Sequence, residues 1–215
     1  MKHERWAILT VVAGTALFGG AMALRHIVDP WWTNAVAAIV TLVLSLACLR
    51  DQVRPLLAFR RSAALLAVGL GLVLVLVTHG GFRLAIGMLA DLEQNVARLY
   101  RDISGATLGV AVRVTLTVLI VAAEELLWRG VAVELCQARL SRVGTAAAST
   151  ALYALPQLIG GSLVLVVVAA AVGTVFTLQR IVTGRVMDPM ITHAIWSVSV
   201  FSLTPLSPKR WHVFV

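Results

Sequence analysis

The chain has 215 residues, of which 60% are hydrophobic and only 13% charged, and its mean hydropathy is +0.92. A soluble domain carries about a quarter charged residues and about half apolar ones, so this composition excludes a soluble globular protein and points to an all-α polytopic membrane protein. The net charge of +8 does not point to nucleic acid, because the basic residues stand singly or in pairs between apolar runs, with no basic stripe interleaved with aromatics.

Apolar runs of spanning length predict about seven transmembrane helices in one integral membrane domain over 1–215. The first covers 6–24, and its basic start without a small-x-small cleavage site reads as a retained span rather than a signal peptide. Asp29-Pro30 breaks the chain. The second span covers 33–49 and is followed by the charged RDQVRPLLAFRR. The third covers 62–78 and ends at HGG. The next segment, GFRLAIGMLADLEQNVARLYRD, mixes apolar residues with both charge signs at helical spacing and reads as one amphipathic interfacial helix.

The fourth span covers 107–133, the fifth 143–159, the sixth 162–178 and the seventh 186–203. Gly160-Gly161 makes a tight hairpin of the fifth and sixth. The N-terminal spans fall in 6–90, and a core follows over 107–203. Cys48 and Cys136 lie in or beside apolar runs, without metal spacing or a disulfide framework, and read as buried thiols.

Charge bias sets the orientation. Lys2, Arg5, Arg50, Arg54, Arg60, Arg61, Arg129, Arg139, Arg142, Arg180 and Arg185 fall on the side of the N-terminus. Arg25, Arg83, Arg98, Arg101, Lys209 and Arg210 fall on the other. The excess predicts a cytoplasmic N-terminus, and seven spans place the C-terminus outside. The Ala-, Val- and Arg-rich composition suggests a bacterial inner membrane.

An ionisable residue inside a span costs several kcal/mol, on the order of 3 or more, and so marks a cavity or a partner. The candidates are Arg113, Glu124, Glu125, Arg129, Gln157 and His193. Glu125 and Arg129 are four apart and can pair on one helix face. Glu124 points about 100° away and is free to face a cavity as a general base. The competing reading has both acids near the interface, snorkelling. His193 lies about one turn inside the last span, after Asp188-Pro189, with Ser197 four residues on. Such a pair can donate to a developing oxyanion, or the histidine can simply satisfy a neighbouring carbonyl. Gln157, four residues after Tyr153, can be helix–helix glue. His79 reads as an interface residue.

Taken in order, Glu124-Glu125-x-x-x-Arg129, Tyr153-x-x-x-Gln157 and His193-x-x-x-Ser197 resemble the motifs of the CPBP family. This family comprises the CAAX-protease and bacteriocin-processing intramembrane endopeptidases, also called Abi. Its pattern is EExxxR, then FxxxH, then a histidine followed four residues on by Asn, Asp or a Ser-like residue. The resemblance covers about 107–202. EELLWRG matches closely. The second motif departs twice, with Tyr153 for phenylalanine and Gln157 for histidine.

The resemblance implies an intramembrane endopeptidase acting on a membrane-tethered protein or peptide, with its site near the cytoplasmic half of the core. Glu124 would activate water. Glu125 and Arg129 would support it, His193 would stabilise the oxyanion or orient the water, and Ser197 would assist. The family's second-motif histidine joins the first glutamate and the third-motif histidine at the catalytic water. With Gln157 there, either the amide orients the water or the protein is a degenerate member with an immunity or scaffold role. The resemblance also implies a glutamate-type protease without an obligatory cofactor. HExxH is absent, and Glu124, Glu125 and His193 are a thin donor set for zinc. A transporter using the carboxylates as a proton relay would not account for the third motif.

Overall fold

The computed structural model describes residues 2–89, 92–104 and 108–206; Asp91, Lys209, Arg210 and the tail 207–215 lie outside the described residues. Among the described residues every regular element is helical. These are α1 (Lys2–Ala23), α2 (Pro30–Leu49), the single turn α3 (Val53–Leu56), α4 (Arg61–Ile86), α5 (Leu92–Ser104), α6 (Val110–Glu125), α7 (Val133–Gln137), α8 (Arg142–Ile159), α9 (Leu163–Thr183) and α10 (Met187–Ser197). A π-helical segment, Leu126–Ala132, joins α6 to α7 without a break, and another, Val198–Leu203, extends α10.

Local signals set the boundaries. Asp29 caps α2 by accepting from Trp31 N at 2.8 Å, with Pro30 in the first turn, where its missing N–H costs nothing. Ser141 and Ser162 cap α8 and α9 in the same way. Gly161 at φ +73° turns the hairpin between them, and Gly184 at φ +69° closes α9. Both angles are left-handed, where a side chain would be strained.

Four stretches are long and apolar enough to cross a membrane: Glu4–Ala23, Pro30–Leu56, Arg61–Ile86 and Leu163–Thr183. The other three expected spans are helical as well, but they do not qualify on length and composition. The α6–α7 rod contains Glu124, Glu125, Arg129 and Glu134, α8 carries a row of Thr and Ser, and α10 is short. Their polar groups face one another inside the bundle. Leucines and valines such as Leu65, Leu66, Leu76, Val77 and Val167 cover the outside, as lipid contact requires.

The expectation of one amphipathic helix from 81 is corrected. Helix α4 continues through Gly80-Gly81 to Ile86, because Phe82 is buried against Val96 and Tyr100. Only Leu92–Ser104 forms the amphipathic helix.

Two ends of the bundle can be told apart. At the N-terminal end Arg139 pairs with Glu4, and Val186 N donates to Leu56 O at 2.8 Å. At the opposite end α5 lies across the helix tips. Asp102 pairs with Arg25 at 3.4 Å and His26 at 3.1 Å, and Trp31 Nε1 donates to Ile103 O at 2.9 Å. The Tyr100 hydroxyl donates to Val200 O at 2.8 Å. Burial pushes that phenol up to about 12, so it keeps its proton at any ordinary pH. His79 ties α4 to the end of α10, its ring nitrogens 2.9 Å from Val75 O and 2.8 Å from Thr204 O.

Candidate active site

The central rod is enclosed on every side. All seven residues of its π-helical segment, from Leu126 to Ala132, are buried. A π turn frees backbone carbonyls from their usual partners, and a buried carbonyl must find another. Ser149 on α8 donates to Trp128 O at 2.9 Å, and Arg180 Nε on α9 donates to Arg129 O at 3.0 Å. The widened turn is therefore held by its neighbours, directly beside the paired glutamates.

Arg129 is buried. Its Nη1 donates to Glu125 Oε1 at 3.0 Å and its Nη2 to Gly173 O at 3.1 Å. The guanidinium lies 4.3 Å from the Tyr153 ring centroid and 5.3 Å from that of Phe176. A desolvated cation over an aromatic face gains about 2 kcal/mol. Gly173 is needed for this approach, since a Cβ there would stand 2.6 Å from Tyr153 Cδ1. Arg129 and Arg180 are thus structural groups of the interior. Arg180 reaches Glu134 as well as the rod's backbone.

His193 Nδ1 stands 2.8 Å from Glu125 Oε1. A carboxylate only accepts, so Nδ1 carries a proton, and Nε2 turns toward the interior. Phe176 stacks on the imidazole, with centroids 4.6 Å apart and planes 25° apart. Glu125 therefore does more than neutralise Arg129, because it also fixes the histidine. Around Nε2 stand the Tyr153 hydroxyl at 3.4 Å and Glu124 Oε2 at 3.8 Å.

Glu124, Tyr153, Gln157, His193 and Ser197 all line one cavity of about 170 Å³. Its other walls include Trp31 and Asn34 of α2, Thr117 of α6 and Trp196 of α10. It runs from Glu124 to Arg25 and Asp102 under α5. The cavity thus extends to the end away from the N-terminus, because the layer of Trp128, Arg129 and Arg180 fills the other side. Gln157 Oε1 is buried and has no hydrogen-bond partner among the described residues. Glu124 and Glu125 do diverge, Glu124 toward the cavity and Glu125 toward Arg129, yet both approach His193.

Of the three metal-competent groups, Glu125 and His193 are committed to each other and to Arg129. Among the described residues no group of three or more His, Cys, Asp or Glu side chains is placed to hold a metal ion. Cys48 and Cys136 are free thiols, and neither lines the cavity.

Sequence reasoning missed Phe176 and Gly173, noted Tyr153 only within the second motif, and counted Arg180 only among the basic residues on the side of the N-terminus. Alignment of Ala169, Val172, Gly173, Phe176, Thr177 and Arg180 at helical spacing was the available signal; all six are buried.

Residues 106–199, somewhat under half of the chain, match the family model for Rce1-like proteins, described as type II CAAX prenyl endopeptidase Rce1-like. No curated protein and no solved structure matches the chain. The matched residues hold all three motifs around the cavity. An integral membrane protein with a protease family's segment is what the apolar helices and the match describe together. Over residues 106–199 this chain is thus similar to the Rce1-like family of type II CAAX prenyl endopeptidases.

Proposed function

We propose that this protein is an intramembrane endopeptidase that hydrolyses a peptide bond of a membrane-tethered protein or peptide, with Glu124 activating the water. The likeness to type II CAAX prenyl endopeptidases makes a prenylated C-terminal peptide the first substrate class to try. The observation that carries the proposal is the convergence of Glu124, Gln157, His193 and Ser197 on one cavity. Glu124 is the carboxylate there that Arg129 does not engage, so it is available to take a proton from water. His193 is oriented by Glu125, as the imidazole is in a catalytic triad, and its Nε2 borders the place of that water. The Ser197 hydroxyl completes the polar wall. The lipid bilayer presents the substrate, and the cavity's apolar walls exclude bulk water.

Gln157 supports a second reading, a degenerate member, because an amide cannot take a proton. The two part on one experiment, cleavage of a fluorogenic farnesylated CAAX peptide by purified protein in proteoliposomes. The active reading expects wild type to cleave, and Gln157→Ala to be about ten- to a hundredfold slower through loss of a hydrogen bond in the site. A wild type that is inert until Gln157→His restores cleavage would establish the degenerate reading instead.

A further inference from the structure

The second motif departs at both of its positions. Where the resembled pattern has phenylalanine and histidine, this chain has Tyr153 and Gln157. The two are four apart on α8, so they share a helix face, and both line the cavity. One position has gained a hydroxyl and the other has lost an imidazole.

The Tyr153 hydroxyl is held in place. The Arg129 guanidinium covers the ring at 4.3 Å, Trp128 meets it edge-on at 6.4 Å between centroids, and Gly173 leaves no gap behind it. Nε2 of His193 stands 3.4 Å from the hydroxyl. In the tautomer that carries its one proton on Nδ1, toward Glu125, the phenol is the donor of that pair. The contact is long for an O–H donor, and a charged oxygen would accept from it more strongly. In that tautomer Nε2 has no proton to donate to an oxyanion, and the phenol has one. Gln157 offers the complement, a buried Oε1 without a partner among the described residues.

We propose that Tyr153 is a catalytic residue and that it and Gln157 together replace the missing histidine. Tyr153 O–H donates to the oxyanion, and Gln157 Oε1 accepts from the attacking water. The inference rests on the endopeptidase reading. The water oxygen bonds to the scissile carbonyl carbon as one water proton passes to Glu124. The carbonyl π pair moves onto its oxygen, which accepts the hydrogen bond while Tyr153 keeps its proton. The C–N bond then breaks, and the departing nitrogen takes the proton back from Glu124.

The test compares wild type, Tyr153→Phe, Tyr153→Phe/Gln157→His and Glu124→Gln in proteoliposomes on the fluorogenic farnesylated CAAX peptide. Tyr153→Phe preserves the ring under Arg129, so its melting temperature serves as the check on folding. Its kcat is expected to fall about a hundredfold, the scale of one lost oxyanion donor, with KM within about twofold. The double variant recreates the Phe-x-x-x-His pair and is expected to regain at least about tenfold over Tyr153→Phe. A packing role for the hydroxyl would not be rescued from position 157. Equal kcat for wild type and Tyr153→Phe would overturn the proposal, as would a double variant no faster than Tyr153→Phe. If Glu124→Gln cleaves as fast as wild type, the endopeptidase mechanism itself fails and the Tyr153 role falls with it.

Discussion

Replacing Arg129 with methionine is expected to cost about 3–5 kcal/mol of stability, because it leaves a buried carboxylate without its cation. The side chain is fully enclosed, and it serves Glu125, the Gly173 carbonyl and two aromatic faces at once. A methionine fills much of the volume and supplies none of the donors. Glu125 Oε1 would keep His193 Nδ1 as its partner, so the loss should also reach the imidazole that lines the cavity. Thermal unfolding in detergent, followed through thiol exposure at Cys48, measures the effect. The double variant Arg129→Met/Glu125→Gln removes both charges and should recover part of the loss. Full stability in the single variant would mean that the pair does not hold the rod.

Replacing Glu124 with glutamine should reduce kcat by about 10²–10⁴, the range for removing a general base. The substitution keeps the size and hydrogen-bonding reach of the side chain but cannot take a proton. Glu124 makes its nearest ion-pair approach to His193 at 3.8 Å, so the fold does not rest on a short contact there. Melting should therefore stay close to wild type while turnover collapses. The contrast between the two acids is sharp. Glu125 lies in a three-way contact with Arg129 and His193, and its loss should lower both stability and rate.

The rods and their order were legible because apolar runs and caps are local signals. Asp29-Pro30 and Gly160-Gly161 marked turns that the chain makes. The divergence of Glu124 from Glu125 followed from helical geometry alone. What local signals could not supply were contacts made across the bundle. The histidine's attachment to Glu125 needs α6 and α10 side by side. The cation over Tyr153 needs Gly173 from α9. Arg180 looked like a flanking charge because it stands near the end of an apolar run, yet it completes a buried stripe that starts at Ala169. The continuation of α4 past Gly80-Gly81 depends on Phe82 meeting Val96 and Tyr100, a contact with a helix that follows it in sequence. Four helices qualify as spans by length and composition, and the three rods that carry the motifs spend their apolar surplus on polar groups that meet each other inside.

The central claim is that Glu124 activates a water that cleaves a peptide bond. The most direct test is mass spectrometry of the products formed in ¹⁸O-labelled water from the farnesylated CAAX peptide, with wild type and Glu124→Gln reconstituted at equal amounts. The account predicts two peptides from wild type, one with a single ¹⁸O in its new carboxyl group, and at most about one hundredth of that yield from Glu124→Gln in the initial-rate range. Equal yields of labelled product from the two proteins would contradict it.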